Sequence, residues 1–199
     1  MKRADDNIIM EQVRDGNIKK LAILFERYHI SLFNFFLRLT GGNRGDSEDL
    51  VQNVFIRILK YRTTFNNQNK FAVWLYKIAR NVHMDHLRKT LPEVSNEERI
   101  NREPVAREDD IEKIEQSRMI ENLNTALLCL PEKKREVLIL SRFQKLKCRE
   151  IAEIMGCKPG TVKVRIIDLK KLKAPSGIYS PPKGYKRKTL HNAFGIKKQ

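Results

Sequence analysis

Apolar residues in this chain recur at three- and four-residue steps along most of its length, and no segment sustains the two-residue alternation of a strand. That period predicts an all-α fold, because only a helix gathers such positions on one face. Over 18–39 the stripe is Ile18, Leu21, Ala22, Phe25, Tyr28, Leu32, Phe35, Phe36 and Leu39, and Gly41 and Gly42 supply a stop. The next helix is expected to begin near Asp46, a good N-cap, with Glu48 and Asp49 in its first turn, where the helix dipole favours acids. Its buried face would be Leu50, Val51, Val54, Phe55, Ile58 and Leu59. A polar break through Thr63, Thr64, Asn66, Asn67, Gln68 and Asn69 precedes a helix over 71–89 that turns Trp74, Leu75, Ile78, Val82 and Leu87 toward a core. Further helices are expected over 118–129, from Pro131 as first helical residue to about Phe143, over 148–155 and over 159–172.

Charge divides this helical chain. Residues 1–90 hold 16 Lys+Arg against nine Asp+Glu, a balance of +7; residues 91–118 hold five against nine, or −4. Residues 119–169 give +4 and residues 170–199 give +9, within a formal net charge of +16. A sign change of this kind marks a boundary. The reading is two small helical domains, 1–90 and 119–173, joined by an acidic linker, 91–118, and followed by a basic tail, 174–199, expected to be disordered. The apolar share, 41%, is enough for compact cores, and the excess of positive charge points to a polyanion as partner. No apolar run approaches the ~18–20 residues of a membrane span. The acids of the first 16 residues argue against a signal peptide, and three well-separated cysteines (Cys129, Cys148, Cys157) fit a reducing cytoplasm, so no membrane insertion is expected.

The stretch CREIAEIMGCKPGTVKVRI (148–166) has helix-turn-helix spacing. Ile151 and Ala152 face inward on its first helix, Gly156 takes the turn, and Val162 and Ile166 bury the second helix. Arg149, Lys158, Gly160, Thr161, Lys163 and Arg165 are then left to reach a major groove or its phosphates. In the N-terminal half, the Asn- and Thr-rich break with Phe65 suits capture of an extruded base, since amides offer donors and acceptors and aromatic rings stack.

Three strings in order resemble the extracytoplasmic-function (ECF) sigma factors of bacterial RNA polymerase. DSEDLVQNVFIRILK (46–60) is similar to their core-polymerase-binding helix, and FAVWLYKIARNVHMDHLRK (71–89) to the helix that recognises and melts the promoter −10 element. LPEKKREVLILSRFQKLKCREIAEIMGCKPGTVKVRI (130–166) resembles their −35-binding domain. The resemblance implies an alternative sigma factor, not an enzyme and without a cofactor, whose partners are core RNA polymerase (large-subunit clamp and flap), promoter DNA and a cognate anti-sigma factor. It implies polymerase contacts at Asp46, Glu48, Asp49, Gln52 and Asn53, and −10 contacts at Phe65, Asn66, Asn67, Lys70, Phe71, Trp74, Lys77, Arg80, Asn81 and Arg88. Its −35 contacts would be the six residues of the helix-turn-helix already named.

Two positions depart from the family pattern. Lys158 stands where a capping Ser or Thr is usual, and Asp168 brings an acid where phosphate would approach. The residues also allow a helix-turn-helix regulator acting without polymerase, or an RNA-associated helical protein using the basic tail. His83 and His86 lie three apart on one helix, but Asp85 faces elsewhere and no Cys is near, so no metal site is expected. No C-x-x-C pair, phosphate loop or Ser/His/Asp set is present in the sequence.

Overall fold

A computed structural model describes residues 5–90, 120 and 122–171; the expected linker and tail lie outside these residues. The regular structure of the described residues is entirely helical, without a strand, as the apolar period requires. Seven α-helices can be named: α1 (Asp6–Arg14), α2 (Leu21–Leu39), α3 (Arg44–Tyr61), α4 (Phe71–Thr90), α5 (Glu132–Leu138), α6 (Cys148–Met155) and α7 (Pro159–Lys171). Residues 122–128 are also helical. Among the described residues, no helix is long and apolar enough to cross a membrane.

Helices α1–α4 form an N-terminal lobe in which α2 packs on α3 and α1, and α3 packs on α4. Its centre is apolar and aromatic: Met10, Leu24, Leu32, Phe35, Phe36, Ile58, Phe71 and Leu75 are almost wholly buried. The stripe read from Ile18 enters α2 through a short 3₁₀ turn, Ile18–Lys20. Gly41 and Gly42 end α2 with φ of +70° and +99°, and the Gly42 amide donates to the Leu37 carbonyl at 2.7 Å. The start of α3 differs from expectation. Asn43, not Asp46, is the cap: its side-chain oxygen accepts from the Asp46 amide at 3.1 Å. Asp46 is left in the first turn, with Glu48 and Asp49 in the second.

The C-terminal lobe contains 122–128 and α5–α7. Pro131, expected inside α5, instead precedes it with extended ψ. Helix α5 runs on into a π-helical turn, Ile139–Phe143, that completes the helix expected to reach Phe143. Helices α6 and α7 make the helix-turn-helix, with Ile151, Ala152, Ile154 and Val162 buried between them and α5. Glu150 accepts from the Lys147 amide at 2.7 Å, closing half of a capping box; a lysine side chain has no acceptor to close the other half. The turn needs Gly156, which sits at φ +62° and ψ +40°.

A Cβ at Gly156 would meet nothing within 4 Å, so alanine there is opposed by its backbone alone. Gly156→Ala is expected to cost about 1–2 kcal/mol, the usual penalty for a left-handed non-glycine residue. Gly156→Asn should cost less, because asparagine tolerates that conformation. Urea denaturation of the three proteins checks the order.

The two lobes are in contact: α4 of the first packs along α6 of the second, and α2 touches the π-helical turn.

Candidate nucleic-acid interface

The candidate −10 surface begins with the chain entering α4. Phe65 and Phe71 are 2% and 1% exposed and meet edge-on at 6.2 Å. Half-buried Trp74 stands 5.4 Å from Phe65, and Tyr28 lies edge-on to Phe71 at 5.3 Å. Both phenylalanines, expected among the base contacts, are therefore walls of the core beneath the loop and present no open ring. Asn66, Asn67, Gln68, Asn69 and Lys70 are exposed above them. A residue the sequence reading missed holds this loop. Asn7 of α1 donates from Nδ2 to the Asn69 carbonyl (3.1 Å) and to Asn67 Oδ1, and its Oδ1 accepts from the Phe71 amide at 2.7 Å. One amide side chain thus fastens the loop and supplies a cap for α4 from a distant helix, which no local motif announces.

Helix α4 divides cleanly. Phe71, Val73, Leu75, Ile78, Ala79 and Val82 are buried, whereas Lys77, Asn81 and Arg88 are exposed. Arg88 lies 3.3 Å from Asp85, which also pairs with Arg57 at 2.7 Å. Arg80 is only 21% exposed and lies against the other lobe. Its Nε is 3.1 Å from Oε1 of Glu136 on α5 and 3.3 Å from Oε2, and only the Oε2 approach has hydrogen-bond geometry. Lys70 pairs with Glu150 at 2.9 Å, and Asn69 donates to Glu153 at 2.6 Å. Three candidate −10 residues or their neighbours thus face acids of the C-terminal lobe. The contact is extended by Ser31 donating to Gln144 (2.7 Å), Arg135 donating to the Leu39 carbonyl (3.1 Å) and Arg38 stacked 4.0 Å over Phe143.

Burial sets the titration of two of the groups in this contact, Glu136 and His83. It lifts the Glu136 carboxyl above its ordinary range although Arg80 opposes the shift. It pushes His83 down to about 4, helped by His86, Arg135 and Arg80, so the ring is neutral at neutral pH. Burial also works against the Glu150 carboxylate, but the Lys147 amide and the Lys70 ammonium outweigh it and hold the carboxyl low.

Two other surfaces stand apart. On α3, Glu48, Asp49, Gln52 and Asn53 are exposed together, followed by Ile56 at 61% exposure. Asp46, grouped with them by the sequence, is half-buried and occupied locally: it accepts from Asn43 Nδ2 at 2.6 Å and lies 3.7 Å from His86 Nε2. On the helix-turn-helix, Arg149, Lys158, Gly160, Thr161 and Lys163 are exposed, and Arg165 is half-buried with Nη1 3.9 Å from Met155 Sδ. Asp168 is not loose beside this face, since Lys134 pairs with it at 3.4 Å.

These surfaces fall within two family matches: residues 24–91 match Sigma-70 region 2, and residues 120–166 match Sigma-70, region 4. The ECF RNA polymerase sigma factor SigW of Bacillus subtilis (strain 168) is 32% identical over 169 residues, covering 79% of this chain and 88% of that protein. The chain belongs to the ECF sigma factors. The ECF RNA polymerase sigma-E factor of Escherichia coli (strain K12) agrees, at 30% identity over 81% of this chain and 88% of its own. Two solved structures share the fold. CnrH, in complex with the cytosolic domain of CnrY, has a TM-score of 0.63 at 23% identity and covers 83% of this chain and 92% of its own. The sigma factor RpoE of Bartonella quintana, in complex with the anti-sigma factor NepR, has a TM-score of 0.62 at 24% identity and covers 77% and 93%.

The protein is therefore an alternative sigma factor associated with RNA polymerase, and the two readings without polymerase are not favoured. Sigma factors are non-catalytic initiation factors. In this sigma factor the region 2 lobe carries the loop 66–70 and the cationic side of α4, and the region 4 lobe carries the helix-turn-helix. Sequence reading found the exposed residues of both. It missed Asn7, Glu136 and Gln144, each of which bonds a residue far away in the chain.

Proposed function

We propose that the region 2 lobe (1–90) holds the polymerase through the exposed α3 strip Glu48, Asp49, Gln52, Asn53 and Ile56. The same lobe captures the opened −10 strand with Asn66, Asn67, Lys70, Lys77, Arg80, Asn81 and Arg88. Phe65 and Phe71 support that surface from below, with Trp74 at its border. The region 4 lobe (119–173) reads the −35 element with Arg149, Lys158, Gly160, Thr161, Lys163 and Arg165, and residues 91–118 join the two. The observation that carries this reading is the division of α4 into a buried apolar side and an exposed side of cations and amide, beside five exposed polar loop residues. Cations there answer phosphates, and amides answer base edges. The factor acts in the cytoplasm without a catalytic step of its own, and an anti-sigma partner, as in the Bartonella quintana complex, controls its availability.

A protein that touches two separate promoter elements must hold its two DNA-binding faces apart. In the docked arrangement Arg80 and Lys70 already face carboxylates. The free chain is thus a closed form, and polymerase binding selects an open one.

In vitro transcription with core polymerase, this chain and genomic DNA tests the reading: new start sites with a shared −10/−35 pattern are expected, and neither polymerase binding nor new transcripts would end it. The double change Glu48→Lys and Asp49→Lys should weaken holoenzyme assembly by about tenfold or more while helix content stays the same, since charges at an interface centre set complementarity. Pull-down against core polymerase, with circular dichroism alongside, reads both.

A further inference from the structure

His83 and Glu136 are each 1% exposed and face one another across the two lobes, with half-buried Glu132 beside them. His83 stands on α4, and the two glutamates stand one turn apart on α5, so both carboxylates are on the same side of that helix. The donor atoms these three residues can offer lie within 4.8 Å of one another. His83 Nδ1, Glu132 Oε1 and Glu136 Oε1 are all buried without a hydrogen-bond partner. A buried unsatisfied polar atom costs about 1–3 kcal/mol, and three at one point call for a common partner. A neutral imidazole nitrogen and two carboxylate oxygens are acceptors, which a single cation can satisfy together.

We infer that His83, Glu132 and Glu136 form a site for a divalent transition-metal ion that bridges the two lobes. Three protein ligands with an open fourth position suit a tetrahedral ion such as Zn²⁺ or Co²⁺. The imidazole nitrogen selects that class over Mg²⁺ and Ca²⁺, which take oxygen donors. Metal–ligand distances of roughly 2.0–2.2 Å require the donors to draw inward, a side-chain adjustment. The Arg80 hydrogen bond to Glu136 Oε2 supplies the outer contact that orients a ligating carboxylate, and Oε1, which lies 3.1 Å from Arg80 Nε without hydrogen-bond geometry, is the oxygen that turns to the ion. Arg80 already pairs with Glu136 and offsets its charge, so the ion is held by coordination rather than by net charge. His86 takes no part, being turned to Asp46.

Because the ligands come from both lobes, the ion binds the docked arrangement better than an open one and must stabilise it. Metal would then keep Arg80 against Glu136 and oppose holoenzyme formation. That consequence rests on the proposed roles of α4; the metal site itself does not.

The test uses the full chain, stripped with chelator, with Cys129, Cys148 and Cys157 changed to serine because thiols also take zinc. Equilibrium dialysis with Zn²⁺ and the visible absorption of Co²⁺ should show one ion per chain. Glu132→Gln and His83→Gln should each weaken it by at least about tenfold, the least that loss of even an outer-shell partner costs. Glu132 is half-buried, so Glu132→Gln keeps the fold even if His83→Gln does not. Labels on α3 and α7 should show Zn²⁺ raising the docked fraction, and not in Glu132→Gln. No ion on the thiol-free chain, or equal binding by Glu132→Gln, overturns the site. Binding that leaves lobe separation unchanged overturns the bridge. If the ion binds and docks the lobes but holoenzyme assembly ignores it, the reading of α4 fails while the site stands.

Discussion

Replacing Glu136 with alanine should open the free sigma factor and raise its own affinity for single-stranded −10 DNA by about thirtyfold. The Glu136 side chain is 2% exposed and the Arg80 side chain 21%, so this is the most enclosed ion pair between the lobes. Removing one partner of a fully buried pair costs about 3–5 kcal/mol, because the remaining charge is stranded. Arg80 keeps some solvent, which lowers the figure to about 2 kcal/mol, or roughly thirtyfold in the ratio of docked to open chains. The cost falls on the docked state alone, since an open Arg80 is hydrated. By contrast Lys70 is 68% exposed, and its pair with Glu150 belongs to the class worth about 0–1 kcal/mol. Glu150→Gln should therefore change affinity by less than about fivefold. Energy transfer between labels on α3 and α7, with binding of a fluorescent −10 oligonucleotide, measures both effects in chelator so that no ion intervenes. An Glu136→Ala protein with unchanged lobe separation and affinity would show that this pair does not hold the closed form.

That closed form is the part of the molecule that sequence could not supply. Apolar periodicity located the described α-helices of the two lobes other than α1 (Asp6–Arg14), which was not expected, because each must bury one stripe and the period belongs to the helix itself. The exposure of Glu48, Asp49, Thr161 and Lys163 was legible for the complementary reason: they fall between the buried positions. Local competition misplaced the start of α3, where Asn43 sits inside a glycine-rich run that reads as loop, yet caps better than Asp46. The polar break misled in the other direction. Phe65 stands among asparagines and threonines and so reads as exposed, but Asn7 and Trp74 close the space around it. The pairs Arg80–Glu136 and Lys70–Glu150 and the grouping of His83 with Glu132 and Glu136 depend on how one lobe docks on the other. No period or spacing encodes that, and charge balance gives at most its sign.

The two roles available to Phe71 make opposite forecasts, and the structure favours one of them. Its ring is 1% exposed, edge-on to Tyr28, and 6.2 Å from both Phe65 and Trp74. Its backbone amide is the point where Asn7 ties α1 to the start of α4. Phe71→Ala removes the centre of this group, and a buried Phe→Ala change costs about 3–5 kcal/mol in lost transfer energy and residual cavity. A domain holds only about 5–15 kcal/mol in all, so the region 2 lobe should lose a large part of its stability. Phe71→Leu keeps most of the volume and should cost less than about 1.5 kcal/mol. The chain has one tryptophan, and Trp74 packs on Phe71, so its fluorescence in a urea titration reports on this lobe. Promoter opening by Phe71→Ala holoenzyme should fall with the folded fraction and recover on cooling or in stabilising osmolyte. Had the ring instead stacked on an extruded base, Phe71→Ala would leave the urea midpoint where it is and abolish opening at every temperature. A midpoint that does not move would thus return Phe71 to the DNA surface and require the loop 66–70 to open further than its ties to Asn7 allow.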